Sequence, residues 1–156
     1  MSNRKLHFET IQIHGGYKVD ESLARGIAIH PTAAYHFSSC DYAANLFTLS
    51  EPGYIYTRLH NPTTAAYEER IAALYGGVGA LATSSGMSAI LLTITALAKA
   101  GDNIVASPYL YGGTHNQFVI SLRNLGVECR LAKSDSAEDI AALIDDNTRA
   151  VFAESM

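Results

Sequence analysis

Ala80-Leu81-Ala82-Thr83-Ser84-Ser85-Gly86-Met87-Ser88-Ala89 is the stretch whose reading decides the fold. Its first four residues form a short apolar run of strand length, and apolar spacing of helical period begins at Met87. Two serines and a glycine make the corner between them. A strand that turns directly into a helix leaves the first helical N–H groups unpaired beyond the strand's end, which makes a ready anion site. Gly86 lets an anion approach the backbone closely because it carries no Cβ, and Ser85 and Ser88 add hydroxyl donors. Local physics alone gives equal weight to a phosphate cradle and to a plain tight connection.

The same alternation extends through the rest of the chain. Pro62-Thr63-Thr64 opens a helix that places Tyr67, Ile71, Leu74 and Tyr75 on one face and stops at Gly76-Gly77. A strand is predicted at 80–83, then a helix from Met87 to Ala98 closed by Gly101-Asp102. Residues 104–106 read as a buried strand ended by Pro108, and about 114–125 as a helix stopped by Gly126. A strand follows at 127–131. Asp135-Ser136-Ala137-Glu138 reads as a capping box before a helix with Ile140, Leu143 and Ile144 inward, and 150–153 is the last strand. Strand and helix in regular alternation mean right-handed crossovers, hence an α/β chain with a mostly parallel sheet and helices on its faces. Ligands of such sheets sit beyond the carboxyl ends of the strands. Residues 84–87, residues 109–113 and Glu154 fall there, so they are expected to converge on one mouth.

Residues 1–62 have a different texture. They hold every histidine except His115 and three of the five phenylalanines, with little periodicity, as an irregular arm, and within them Ile27 to Phe37, with Pro31 and scattered aromatics, reads as extended or irregular chain. An arm with so many aromatics needs a surface to lie against, and a partner subunit is the simplest one. Within it Tyr56-Thr57-Arg58 sets a phenol and a guanidinium two residues apart, pointing the same way if the segment is extended. Arginine binds phosphate oxygens bidentately and tyrosine donates a further hydrogen bond.

Composition excludes several classes of function. A 156-residue chain with 48% hydrophobic and 17% charged residues suits one globular domain with a large interior or an interface. A net charge of -4, with no basic stretch interleaved with aromatics, gives no reason to expect nucleic acid. The apolar run from 87 to 98 is too short and too polar to span a bilayer, and the first residues do not form a signal peptide. Cys40 and Cys129 are isolated and read as free thiols, with the cytoplasm as the expected location. His30, His36 and His60 lie in irregular chain without a Glu or His at metal-ligand spacing, so no metal is expected, and His115 near a helix start reads as a solvated or capping residue before a functional one. The Gly-x-Gly-x-x-Gly spacing of dinucleotide folds is missing, because Gly76-Gly77-Val78-Gly79 precedes its strand. Tyr109-Leu110-Tyr111-Gly112-Gly113-Thr114 is either a loop with a packed tyrosine or a platform on which a flat ring stacks. Glu154 ends an apolar strand, where a carboxylate is cheapest at the rim. Phosphate donors, a basic clamp and a stacking ring together describe a site for a planar phosphorylated ligand.

Tyr56-Thr57-Arg58-Leu59-His60-Asn61-Pro62-Thr63, Ser84-Ser85-Gly86-Met87-Ser88-Ala89 and Tyr111-Gly112-Gly113-Thr114 resemble, in order and spacing, the pyridoxal-phosphate enzymes of cysteine and methionine metabolism. The resemblance begins near Phe8, with Thr10 and His14-Gly15-Gly16 matching the usual opening, and runs to the last residue. Ala43-Ala44-Asn45-Leu46-Phe47 is similar to the O-acetylhomoserine sulfhydrylases of that family, and Gly113 differs from the cysteine typical of its methionine γ-lyases.

The resemblance implies a three-layer α/β/α fold, the N-terminal part of the aspartate-aminotransferase-like (fold type I) large domain. Residues 1–62 are then an arm contacting a partner subunit, and 63–156 the first, incomplete part of the pyridoxal-phosphate domain. It implies that Ser85, Gly86 and Met87 hold the cofactor phosphate and that Tyr56 and Arg58 complete that site in a neighbouring subunit. Tyr111 stacks on the pyridine ring and assists proton movement, and Glu154 lies near the cofactor. The implied reaction replaces the acetoxy group of O-acetylhomoserine with sulfide or a thiol, in a homotetramer built from dimers with shared sites. The family's cofactor lysine and the aspartate at the pyridine nitrogen lie beyond position 156, and Lys5, Lys18, Lys99 and Lys133 occupy no position the family uses. The chain is therefore expected to be a truncated piece, inactive alone. A cystathionine γ-synthase or methionine γ-lyase, and a non-catalytic dimerisation module, stay open as alternatives.

Overall fold

The computed structural model describes residues 6–19, 21 and 23–155. The chain separates into two compact units, Met1–Ala82 and Thr83–Met156.

The arm is largely irregular, as expected, and carries two short helices; the helix expected from Pro62 follows it in the first unit. The unit contains α1 (Phe8–His14), α2 (Cys40–Phe47) and α3 (Pro62–Tyr75). α2 is short and begins at Ser39, whose hydroxyl accepts from the Tyr42 amide. That serine is a start signal which the scattered aromatics around it obscure. α3 begins where the sequence places it, with Asn61 as cap, Pro62 in the first turn and Gly76 in the left-handed region at φ 66°. Its buried face differs from expectation. Ala65 and Ala66 are buried, while Tyr67 and Tyr75 are 57% and 85% exposed. Small residues are needed there because Gly16, at φ +69°, comes down onto the helix. A Cβ at Gly16 would lie 2.4 Å from the Ala66 carbonyl oxygen and 2.5 Å from the Arg70 amide nitrogen. Arg70 Nε fixes the contact by donating to the Gly15 carbonyl at 2.7 Å.

Asn61 is the hub of this unit. It is 3% exposed, its Oδ1 accepts from the Thr63 amide at 2.9 Å, and its Nδ2 donates to the His30 carbonyl at 3.0 Å and to Thr57 Oγ1 at 3.1 Å. One amide side chain thus caps α3 and ties two arm segments to it.

The second unit carries the sheet. α4 (Gly86–Leu97) leads to β1 (Asn103–Ala106). α5 (Gly112–Asn116) continues into a π-helical turn at Gln117–Leu122, followed by β2 (Glu128–Leu131), α6 (Ala137–Ala141) and β3 (Thr148–Phe152). All pairings are parallel and the order is β2-β1-β3. Moving from β1 to β2 and then back past β1 to β3 reverses direction. With right-handed crossovers, the two connections therefore lie on opposite faces of the sheet. The core on one face joins Ile94 and Ala98 of α4, Ile104 and Ala106 of β1, and Phe118 and Leu122 of the π-helical turn. Phe118 meets Phe152 edge-on at 5.1 Å.

Three further expectations are corrected, one at the end of the first unit and two in the second. Residues 80–83 form no strand, because no strand among the described residues pairs with them; the Ala82 amide donates instead to the Glu68 carboxylate at 2.7 Å. The helix before β3 is capped by Ser136, which accepts from the Asp139 amide, one residue later than the predicted box. It ends at Ala141, leaving Ile144 49% exposed rather than inward.

The amino-terminal edge of the sheet is closed by a polar network. Buried Asn103 donates to Asp145 Oδ1 at 2.8 Å and accepts from Thr148 Oγ1 at 2.8 Å. Arg130 Nη1 reaches Asp145 Oδ2 at 2.6 Å. The Asn103 hydrogen bond, followed by that of Arg130, holds the Asp145 carboxyl well below the usual carboxylate range. A depressed carboxyl contributes stability above its unfolded-state pKa of about 3.9 and loses it as the pH falls below that. Asp145→Asn is therefore expected to lower the urea midpoint at pH 7, with the gap to the parent chain narrowing progressively below about pH 4.

Candidate functional site

The amino end of α4 is built by Ser85. Its backbone is extended at φ -161°, ψ 158°, and its hydroxyl accepts from the Ser88 amide at 3.1 Å while lying 3.0 Å from Ser88 Oγ. Both serine hydroxyls are thus engaged in capping the helix. Among the described residues, the Gly86 and Met87 amides have no hydrogen-bond partner. Nothing lies within 4 Å of the position a Gly86 Cβ would take, so the side of the turn that Gly86 faces is open. The turn is held from below by Gln117, whose Nε2 donates to the Met87 carbonyl at 3.1 Å.

The loop after β1 is held at both ends. Ser107, 1% exposed, accepts from the Tyr109 amide at 3.0 Å and donates to the Asp135 carboxylate. Glu154, just past β3, accepts from the Tyr111 amide at 2.6 Å and from Thr114 Oγ1 at 2.7 Å. The Tyr111 ring lies over Gly113, where an added Cβ would sit 2.6 Å from the ring and 3.3 Å from the Met87 sulfur. The Tyr111 ring and the Met87 sulfur therefore both border Gly113, and the ring itself is 69% exposed. Tyr109, Tyr111, Ala153 and Glu154 line a cavity of about 850 Å³ there.

Residues 84–87, residues 109–113 and Glu154 are thus brought to the carboxyl ends of the strands, where the strand order reverses. Tyr56 and Arg58 belong to the first unit. They are adjacent, but not through an extended segment. Tyr56 makes an isolated bridge to Ala34, residues 57–59 turn, and the Arg58 guanidinium stacks on the Tyr56 ring at 5.3 Å. The turn closes because the Leu59 and His60 amides both donate to the Tyr56 carbonyl.

Three contributors went unseen in the sequence. Thr114 and the Ser107–Asp135 pair hold the tyrosine loop, and Gln117 holds α4. A threonine after two glycines in a helix's first turn was the only available signal. The π-helical turn that aims Gln117 has no signature in the residue pattern. Burial, with the Glu128 carboxylate beside it, pushes the Cys129 thiol up to about 11, which keeps it in the unreactive thiol form. No group of metal-ligating side chains forms among the described residues, and no described helix is long and apolar enough to cross a membrane.

The family model for Cys/Met metabolism PLP-dependent enzymes matches residues 9–156. The chain belongs to that family. Within the Cys/Met metabolism family, homocysteine synthase of Schizosaccharomyces pombe is 50% identical over 151 residues, covering 96% of this chain and 35% of that protein. O-acetyl-L-homoserine sulfhydrylase 1 of Thermus thermophilus is 50% identical over 153 residues, covering 97% and 36%. An O-acetylhomoserine (thiol)-lyase structure from Campylobacter jejuni, solved with N'-pyridoxyl-lysine-5'-monophosphate, has a TM-score of 0.90. It is 36% identical and covers 95% of this chain and 36% of its own. The chain spans about a third of the length of the curated relatives it matches. These matches place the α/β unit within the fold expected from the sequence.

The cap on α4 is directly testable. Ser85→Ala should weaken α4 by about 1 kcal/mol, read as faster exchange of the Ser88 amide, and Ser85→Asp should restore most of it.

Proposed function

We propose that this chain forms the phosphate-binding and ring-stacking part of a pyridoxal-phosphate enzyme. That enzyme replaces the acetoxy group of O-acetylhomoserine with sulfide or a thiol, releasing acetate and giving homocysteine or a thioether such as methionine. The observation that carries this reading is the pair of unpartnered amides, Gly86 and Met87, at an open helix amino end. The family membership and the names of relatives 50% identical support it.

The residues present fit the cofactor. The open space over Gly86 accepts a phosphate against two N–H donors and the positive end of a 12-residue helix. Ser85 contributes by holding the cap that aims those donors. The exposed Tyr111 ring presents a face to a pyridine ring, and its phenol holds or passes a proton at the substrate. Glu154 stands at the same rim. When bound, pyridoxal phosphate supplies an electron sink for charge developing on the amino-acid carbons. The reading requires a cofactor lysine from outside this chain. Lys18 pairs with Glu69, Lys99 follows the far end of α4 and Lys133 follows β2, while Lys5 lies outside the described residues.

Tyr56 and Arg58 are assigned to the phosphate of a second copy, in a homotetramer of dimers located in the cytoplasm. In this assignment residues 1–62 are the arm that reaches the partner and 63–156 open the cofactor domain. The exposed aromatic and aliphatic side chains of the arm support it, among them Phe8, Phe47 and Leu59. The names of the relatives 50% identical, homocysteine synthase and O-acetyl-L-homoserine sulfhydrylase, favour replacement over the γ-lyase reading.

The test is conversion of O-acetylhomoserine and sulfide to homocysteine and acetate by the full-length protein carrying this chain, together with cofactor titration. Arg58→Ala should raise the pyridoxal-phosphate dissociation constant by about tenfold or more, while Arg123→Ala, on an exposed helix face, should leave it unchanged. Equal losses in both variants would remove Arg58 from the site.

A further inference from the structure

Glu154 has both carboxylate oxygens engaged by the chain's own donors, Tyr111 N at 2.6 Å and Thr114 Oγ1 at 2.7 Å. We propose that Glu154 is a positioning residue that sets the Tyr111 ring through the backbone, which is how it serves the cofactor site. This inference rests on the reading of Tyr111 as the stacking ring.

The argument starts from what Tyr111 lacks. Its ring is 69% exposed, so packing alone does not fix its direction. It occupies the cap position of α5, where no side chain of the helix's own caps the end. That helix start therefore has an amide to satisfy, and a carboxylate is the strongest acceptor for it, favoured further by the helix's positive end. Glu154 fills this role from 43 residues further along the chain. Its second oxygen is tied to Thr114, which is 1% exposed and gives the clamp a buried foot.

Glu154 is itself held by the core. It lies two residues past Phe152, whose ring packs edge-on against Phe118 and whose carbonyl accepts from the Ser107 amide at 2.9 Å. A line of contacts therefore runs from the half-buried Phe152 to Glu154, and from there to the Tyr111 backbone. With that backbone fixed at φ -52°, ψ 138°, the ring is delivered onto Gly113. Gly113 supplies the notch, and Glu154 supplies the aim.

The test is nuclear magnetic resonance on the chain without cofactor. In Glu154→Ala the Tyr111 amide should exchange about tenfold faster or more, and the ring-to-Gly113 proton contacts should fall by about half or more, with the Ile104, Val105 and Ala106 amides unchanged. In Glu154→Gln, whose side-chain oxygen still accepts from the amide, both readouts should stay close to the parent. The proposal is overturned if Glu154→Ala leaves the Tyr111 exchange and ring contacts unchanged, or if Glu154→Gln loses them as fully as alanine does. Should Glu154→Ala also lose protection in β1, Glu154→Asp decides, because its shorter arm cannot reach both donors; the same loss at Tyr111 is expected, and an unchanged Tyr111 overturns the proposal. Failure of pyridoxal phosphate to bind would overturn the cofactor reading while leaving this result standing.

Discussion

The second unit depends on the burial of β1. Ile104, Val105 and Ala106 are closed to water and paired in parallel on both sides, so all their polar groups are satisfied within the sheet. Every site residue of that unit is placed relative to this strand. Ser107 and Tyr109 follow it directly, Glu154 follows its neighbour β3, and Ile94 and Ala98 of α4 pack on its face. An error in the register of β1 against β3 would carry Glu154 away from the Tyr111 amide it caps.

The polar residues divide by the two ends of the sheet. At the amino-terminal edge Asn103, Asp145, Thr148 and Arg130 are joined in one hydrogen-bonded network, with Glu128 and the Leu143 carbonyl also on Arg130, which is a structural arrangement. At the carboxyl-terminal edge the Gly86 and Met87 amides are left unpaired beside an exposed ring. Unsatisfied donors at an open helix end are what a site for an anion needs.

The elements that stand on their own local signals were legible from the residues. Asn61-Pro62 and Gly76 bound α3, Ser85 starts α4, and the apolar run after Gly101 gives β1. The strand expected at 80–83 does not form, because a strand is defined by its partner and the residue pattern shows only half of the pair. The helices of the arm were hidden by their shortness, 7 and 8 residues, which leaves too few turns for a period to show. At the rim, the convergence of residues 84–87, 109–113 and Glu154 was legible because each follows a segment that reads as a strand. Gln117 and Thr114 were missed because their roles come from a π-helical turn and from a carboxylate 40 residues away.

The central claim is that the amino end of α4 receives a phosphate attached to a flat ring. The most direct measurement is titration of the isotope-labelled chain with pyridoxal phosphate and, separately, with pyridoxal lacking the phosphate. The account predicts that the largest amide shifts on adding pyridoxal phosphate occur at Gly86 and Met87, with Tyr111 ring signals moving in step, and that pyridoxal leaves the two amides unchanged. Shifts concentrated away from α4, or equal responses to both compounds, would contradict it.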